Sequence, residues 1–124
     1  MLTVLVVEDE FGVADVVVTA LEDEGYRVLV AANGRQGMER LADTKPDLII
    51  ADFMMPDMNG AELIERVRAE AEISDIPIVI YTAYSQEDIE PAMQAGATKA
   101  FFKPFDLDNL IDYVLQLSKP ANKR

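Results

Sequence analysis

The sequence predicts a doubly wound α/β fold, a five-stranded parallel sheet with helices on both faces. Three observations point there. Five short apolar runs, 2–7, 28–32, 48–51, 76–81 and 100–102, are rich in β-branched residues and mostly apolar instead of alternating; strands covered on both faces read that way, whereas half-exposed strands alternate. Segments with helical spacing separate the runs, and strict alternation of strand and helix calls for parallel strands joined by crossover helices. Finally, polar residues collect immediately after the strand ends, and in open parallel sheets that edge is where ligands bind.

Each element has its own signal. Leu2 to Val7 is the first strand, and a helix follows from about Phe11 to Glu24, with Val13, Val17 and Leu21 on one face and Gly25 as its stop. After Val28–Ala32, Asn33-Gly34 opens a second helix carrying Met38, Leu41 and Ala42. Leu48–Ala51 runs straight into Asp52, and the turn residues Pro56 and Asn59-Gly60 precede a third helix with Leu63, Ile64, Val67 and Ala71 at three- and four-residue steps. Ile76–Tyr81 is the fourth strand. Ser85-Gln-Glu-Asp88 reads as a capping box for a helix ending near Gly96. The last strand is Ala100–Phe102. Asp106 can cap a fifth helix whose stripe is Leu107, Leu110, Ile111, Val114 and Leu115. Residues 1–118 form one domain, and 119–124 read as a polar tail or the start of a linker.

With 124 residues, half of them apolar, the chain fits one domain with one core. Its net charge of −12 argues against binding nucleic acid through phosphates, and against docking on an anionic membrane. There is no cysteine, which excludes disulfides and thiolate chemistry, and no histidine, which removes the commonest general base. No basic leader opens the chain, and no apolar run approaches the ~20 residues of a membrane span. The expectation is a soluble cytoplasmic protein.

The residues beyond the strand ends are Glu8-Asp9-Glu10, Asn33-Gly34, Asp52, Thr82-Ala83 and Lys103-Pro104. Singly, each is ordinary: acids favour a helix N-terminus, Thr82 suits a turn, and Lys103 suits a solvated loop. Jointly they put carboxylates, a hydroxyl and an ammonium on one edge; if the second strand is an outer one, as in the order 2-1-3-4-5, the first and third strands are neighbours at the switch point. Crowded carboxylates repel one another and call for a cation at neutral pH. Hard oxygen ligands with room for water suit Mg2+. A cation between Glu8 or Asp9 and Asp52 would leave positions for phosphoryl oxygens. A carboxylate oxygen of Asp52 could then attack phosphorus in line, with Lys103 and Thr82 on the equatorial oxygens. No general base is needed.

These motifs resemble the receiver domain of two-component response regulators, the CheY-like branch of the flavodoxin-like folds, and the resemblance implies the strand order 2-1-3-4-5. The likeness covers nearly the whole chain: Val-Val-Glu8-Asp9-Glu, Asp52-Phe-Met-Met-Pro56-Asp-Met-Asn-Gly60, Thr82-Ala83 and Ala95-Gly-Ala-Thr-Lys-Ala-Phe-Phe-Lys103-Pro104-Phe. The resemblance implies that Asp52 is the phosphoacceptor and that Glu8 and Asp9 hold Mg2+ with it. It implies that the Met54 backbone carbonyl completes the metal site, and that Thr82 and Lys103 are the switch hydroxyl and the phosphate-binding lysine. It further implies a sensor histidine kinase or histidine phosphotransfer protein as donor, an unknown downstream protein, and a possible phosphorylation-dependent homodimer. Catalysis would be confined to the domain's own phosphorylation and dephosphorylation.

Two departures from the family pattern stand out. Ala100 occupies the position, three before Lys103, where the family usually carries an aromatic switch residue; the aromatics here are Phe101 and Phe102. Met54 and Tyr84, two residues beyond Asp52 and Thr82, could screen the acyl phosphate from water, which predicts a long-lived phosphoryl group. Met55 and Met58 read as adaptable packing. Two other readings compete. One is a receiver fold used as a constitutive protein-binding module. The other, more remote, is a haloacid-dehalogenase-like phosphatase, which would need an acid where Met54 stands.

Overall fold

The computed structural model describes the backbone of residues 2–53, 55, 57–82, 86–102 and 107–117, and the side chains of these except 82, 86–88, 102 and 107. Ten elements alternate along the chain: β1 Thr3–Val7, α1 Phe11–Asp23, β2 Arg27–Ala31, α2 Gly34–Asp43, β3 Leu48–Asp52, α3 Gly60–Ala69, β4 Ile78–Thr82, α4 Gln86–Ala95, β5 Lys99–Phe102 and α5 Leu107–Leu117. The strands form one parallel sheet in the order β2-β1-β3-β4-β5. Both the class and the order predicted from sequence are observed.

Strand residues alternate between two apolar layers, because successive side chains point to opposite faces. Leu5, Val7, Ile49, Ala51, Ile78 and Ile80 pack with Leu41 of α2, Leu63, Ile64 and Val67 of α3, and Ile89 and Ala92 of α4. Val4, Val6, Leu48, Ile50, Val79 and Tyr81 pack with Val17 and Leu21 of α1 and with Leu110, Ile111 and Val114 of α5. Burial on both sides explains why the runs do not alternate in polarity.

Helix ends follow their capping signals. After α1, Gly25 takes φ +92°, its N–H donates to the Glu22 carbonyl, and the Tyr26 N–H donates to the Leu21 carbonyl. That pair of bonds is a Schellman closure, and only glycine enters it without steric cost. Gly96, at φ +118°, ends α4 with the same pattern on Met93 and Ala92. Asn33 caps α2 by accepting from the Gln36 N–H at 2.8 Å. At α3, Asn59 and Glu62 form a reciprocal capping box.

Differences from the sequence reading are small and have local causes. The fourth strand begins at Ile78, not Ile76, since Pro77 cannot donate to a ladder. The third helix stops at Ala69, leaving Ala71 in an exposed turn, while Ile73 and Ile76 fold back into the core. Ala42 is exposed, and Gly37 instead faces the sheet, where a Cβ would lie 3.2 Å from Val7. The capping roles expected for Ser85 and Asp106 fall outside the described residues, as does the 119–124 tail. Among the described residues no helix is long and apolar enough to cross a membrane.

Candidate functional site: an acidic pocket at the carboxyl edge of the sheet

Asp52 closes β3, the central strand, and pairs across the ladder with Tyr81 of β4. The strand's apolar run makes it a core strand, so its terminal carboxylate is delivered into a buried position, 5% exposed. Glu8, the residue after β1, is likewise buried at 2% exposure. Its backbone N–H still follows the sheet, donating to the Ala31 carbonyl at 3.0 Å. Glu8 and Asp52 share the pleat parity of Val6 and Ile50, which sends both toward the α1–α5 side.

Carboxylate oxygens of Glu8, Glu10 and Asp52 lie within 4.8 Å of one another. Glu10 is the N-cap residue of α1 in extended conformation, and its side chain does not cap the helix. Two residues apart on extended chain, Glu8 and Glu10 can turn the same way; Asp9, between them, is exposed and does not join the trio. The Glu10 N–H donates to Glu8 Oε2 at 3.0 Å, and the Tyr81 hydroxyl donates to Glu8 Oε1. Tyr81 is itself fully buried. Burial first, then the hydrogen bond to Glu8 and the charges of Glu8, Asp52 and Asp9, push its phenol pKa far above the usual value, so the hydroxyl stays a donor. Asp9 therefore adds its charge to the pocket from the rim.

The loop after Asp52 is tied on its other side. Gly60 N–H donates to the Phe53 carbonyl at 2.6 Å, and a Cβ on Gly60 would sit 3.0 Å from Phe53 Cα, so the loop closes on itself only through glycine. Asp57 accepts from the Gly34 N–H at 3.1 Å and the Arg35 N–H at 2.9 Å, bridging the loop to the start of α2. Burial works to raise the Asp57 pKa, but those two donors and the nearby Arg35 charge leave it below the ordinary carboxylate value. Met55 and Met58 are buried beneath the loop, as packing residues.

Of the residues singled out from sequence, the structure brings Glu8 and Asp52 together and places Asp9 beside them. Thr82 ends β4 on the same edge, paired with Phe102, but its side chain is outside the described set. Lys103, Met54 and Tyr84 also lie outside the described residues. Sequence reasoning assigned no role to Tyr81 or Glu10. A phenol directly after the aliphatic run Ile78–Ile80 of β4, with the parity of Asp52's side of the sheet, was the available signal for Tyr81. Ala100 faces the α2–α4 layer, whereas Phe101 faces α5 and meets Tyr113 edge-on at 5.8 Å. A separate cleft of about 230 Å³ lies at the opposite edge, lined by Leu2, Tyr26, Asp47 and Val114 among others. Its one carboxylate, Asp47, already accepts the Thr3 N–H at 2.9 Å, so it offers no comparable chemistry.

Three comparisons agree with this geometry. A family model described as "Response regulator receiver domain" matches residues 4–115. Sporulation initiation phosphotransferase F of Bacillus subtilis is 35% identical over 112 residues, covering 90% of this chain and 89% of that protein. Several transcriptional regulators also match, and this chain spans only about half of their length. The chemotaxis response regulator CheY4 of Vibrio cholerae superposes with a TM-score of 0.88 at 32% identity, over 94% of this chain and 98% of that one. The receiver domain of the sensor histidine kinase PA1611 of Pseudomonas aeruginosa, whose structure holds a magnesium ion in its active-site cleft, gives 0.86 at 29% identity, over 94% and 96%. By the match across 4–115 and by its fold, this chain belongs to the response regulator receiver domain family of two-component signalling.

Proposed function

We propose that Asp52 is the residue phosphorylated in this receiver, and that an Mg2+ ion held beside it serves the transfer. The observation that carries the reading is the buried Asp52 carboxylate at the end of the central strand, within 4.8 Å of the Glu8 and Glu10 carboxylates. That donor set fits a hard divalent cation: all ligands are oxygens, and the crowded charge favours a counter-ion. Glu8, Glu10 and Asp52 would hold it, with Asp9 at the rim and the Met54 carbonyl in the role the family resemblance implies. When bound, the cation neutralises charge on phosphoryl oxygens.

The chain's own part is positional. β3 aims an Asp52 carboxylate oxygen at phosphorus; the O–P bond forms as the P–N bond of a donor phosphohistidine breaks, and the imidazole nitrogen leaves with the electron pair. An aspartyl phosphate results. Lys103 and Thr82, next to and at the ends of β5 and β4, would pair with the remaining phosphoryl oxygens. The donor is a histidine kinase or phosphotransfer protein, and the readout is a changed protein-binding surface. Neither a constitutive binding module nor a small-molecule phosphatase is favoured by the family match.

Intact-mass spectrometry after incubation with acetyl phosphate tests this, with and without Mg2+ and beside Asp52→Asn. The expected result is a gain of a single phosphoryl group that requires both Mg2+ and Asp52. No gain in the folded protein would overturn it.

A further inference from the structure

Tyr81 is a buried phenol that the phosphotransfer scheme leaves unused. Its neighbours on β4, Ile78, Val79 and Ile80, are aliphatic and fully buried. Its ring lies in the apolar layer shared with α1 and α5. Its hydroxyl emerges at the carboxyl edge and donates to Glu8 Oε1, while the Glu10 N–H donates to Glu8 Oε2 at 3.0 Å. Glu8 therefore has a protein donor on each oxygen, one from the next strand but one and one from the start of α1. Both donors constrain its carboxylate plane and reach. Without them, a glutamate side chain, with three rotatable bonds, would have many conformers that leave the pocket and relieve its repulsion with Asp52 and Glu10.

We infer, building on the receiver reading above, that Tyr81 is a positioning residue for the divalent-cation site, holding the Glu8 carboxylate in place through its hydroxyl. It is not a ligand. It acts as outer partners of metal-binding carboxylates do, by fixing the orientation of a group that touches the ion, and losing such a partner characteristically weakens metal binding by about 10–100-fold. The arrangement depends on pleat parity: Tyr81, Asp52 and Glu8 all face the α1–α5 side, so a phenol at 81 can meet a glutamate at 8, while Ile80 faces the other layer.

The test is Mg2+ titration by calorimetry on the whole chain, for the wild type, Tyr81→Phe, Glu8→Gln and the double variant. Tyr81→Phe is expected to weaken Mg2+ binding about tenfold or more. It should have no further effect in the Glu8→Gln background, because the hydroxyl works only through that carboxylate. Equal affinity in the wild type and Tyr81→Phe would overturn the inference and leave the receiver reading standing, as would the same loss in both backgrounds. A wild type that binds no Mg2+ would overturn both. Should Tyr81→Phe fail to fold, the near-ultraviolet spectrum of the wild type decides. A cation drawing on Glu8 weakens the bond the phenol donates and shifts tyrosine absorption to shorter wavelength, a shift that Glu8→Gln abolishes. No shift at Mg2+ saturation would sink the assignment.

Discussion

On the α2–α4 side of the sheet, Val7, Ala51 and Ile80 stay apolar to the strand ends and are roofed by Gly37, Met55 and Met58. On the α1–α5 side the same three strands run out into Glu8, Asp52 and Tyr81. The two layers are built from the same kind of residue and differ by one step along each strand. In a parallel sheet that step decides whether a strand end delivers closure or chemistry. The loop after Asp52 belongs to both sides: its carboxylate Asp57 and Met58 are fastened to α2, while the residue that opens it sits with the acids. One side thus acts as an anchor and the other as a site.

The largest effects are expected in the two cores. Ile64→Ala on the anchored side and Leu21→Ala on the site side remove fully buried side chains, and each is expected to cost about 2–5 kcal/mol in urea unfolding. If Leu21→Ala cost far less than Ile64→Ala, the α1–α5 layer would not be a core of equal standing. Next in size is Gly96→Ala, at about 1–3 kcal/mol. Its φ of +118° excludes a side chain at low cost, and a Cβ would meet Arg68 Nε at 3.0 Å. Arg68 also donates to the carbonyls of Gly96, Ser74 and Ile76, so that strain would spread to the end of α3.

On the site side the sign reverses. Asp52→Asn removes one of three crowded carboxylates and is expected to raise stability by about 1 kcal/mol in the absence of divalent ions. The same variant should lose most of the rise in Tm that Mg2+ confers on the wild type by binding the folded state alone. A fall in Tm for Asp52→Asn would show that the acids do not strain the pocket.

The anchor has the weaker charge effect. Asp57→Ala gives up two donors at the start of α2 and should cost about 0.5–1 kcal/mol at neutral pH. Because its folded pKa lies below the unfolded value of about 3.9, that contribution is whole above roughly pH 4 and fades as pH falls through the folded pKa. Parallel acid titrations of wild type and Asp57→Ala should therefore converge at low pH. The smallest effect on stability is expected from Met54→Asn and Tyr84→Ala, which should nonetheless shorten the life of the aspartyl phosphate; unchanged hydrolysis in both would remove their screening role.

Much of this was legible in the residues themselves. Apolar runs without alternation marked the strands, and Gly25 and Gly96 marked helix stops because glycine takes the positive φ of a Schellman closure without steric cost. Helix and strand ends moved by one or two residues where Pro77 refused a ladder bond or a turn drew Ile73 inward. The acids at 8–10 and 52 were legible as a set because parallel strands put their carboxyl ends on one edge. Covalent neighbours and side-chain periodicity are properties of the chain, and they determined the fold class and the edge that carries the acids, while the strand order followed from the family motifs. Which acid of Glu8-Asp9-Glu10 turns inward, that Asp57 bridges to α2 across 22 and 23 residues, and that Tyr81 reaches Glu8 across 73 were decided only in three dimensions. Each depends on the twist and register that bring distant strands within hydrogen-bonding distance, and hydrogen bonds are formed at about 3 Å between atoms whose separation along the chain carries no trace of it.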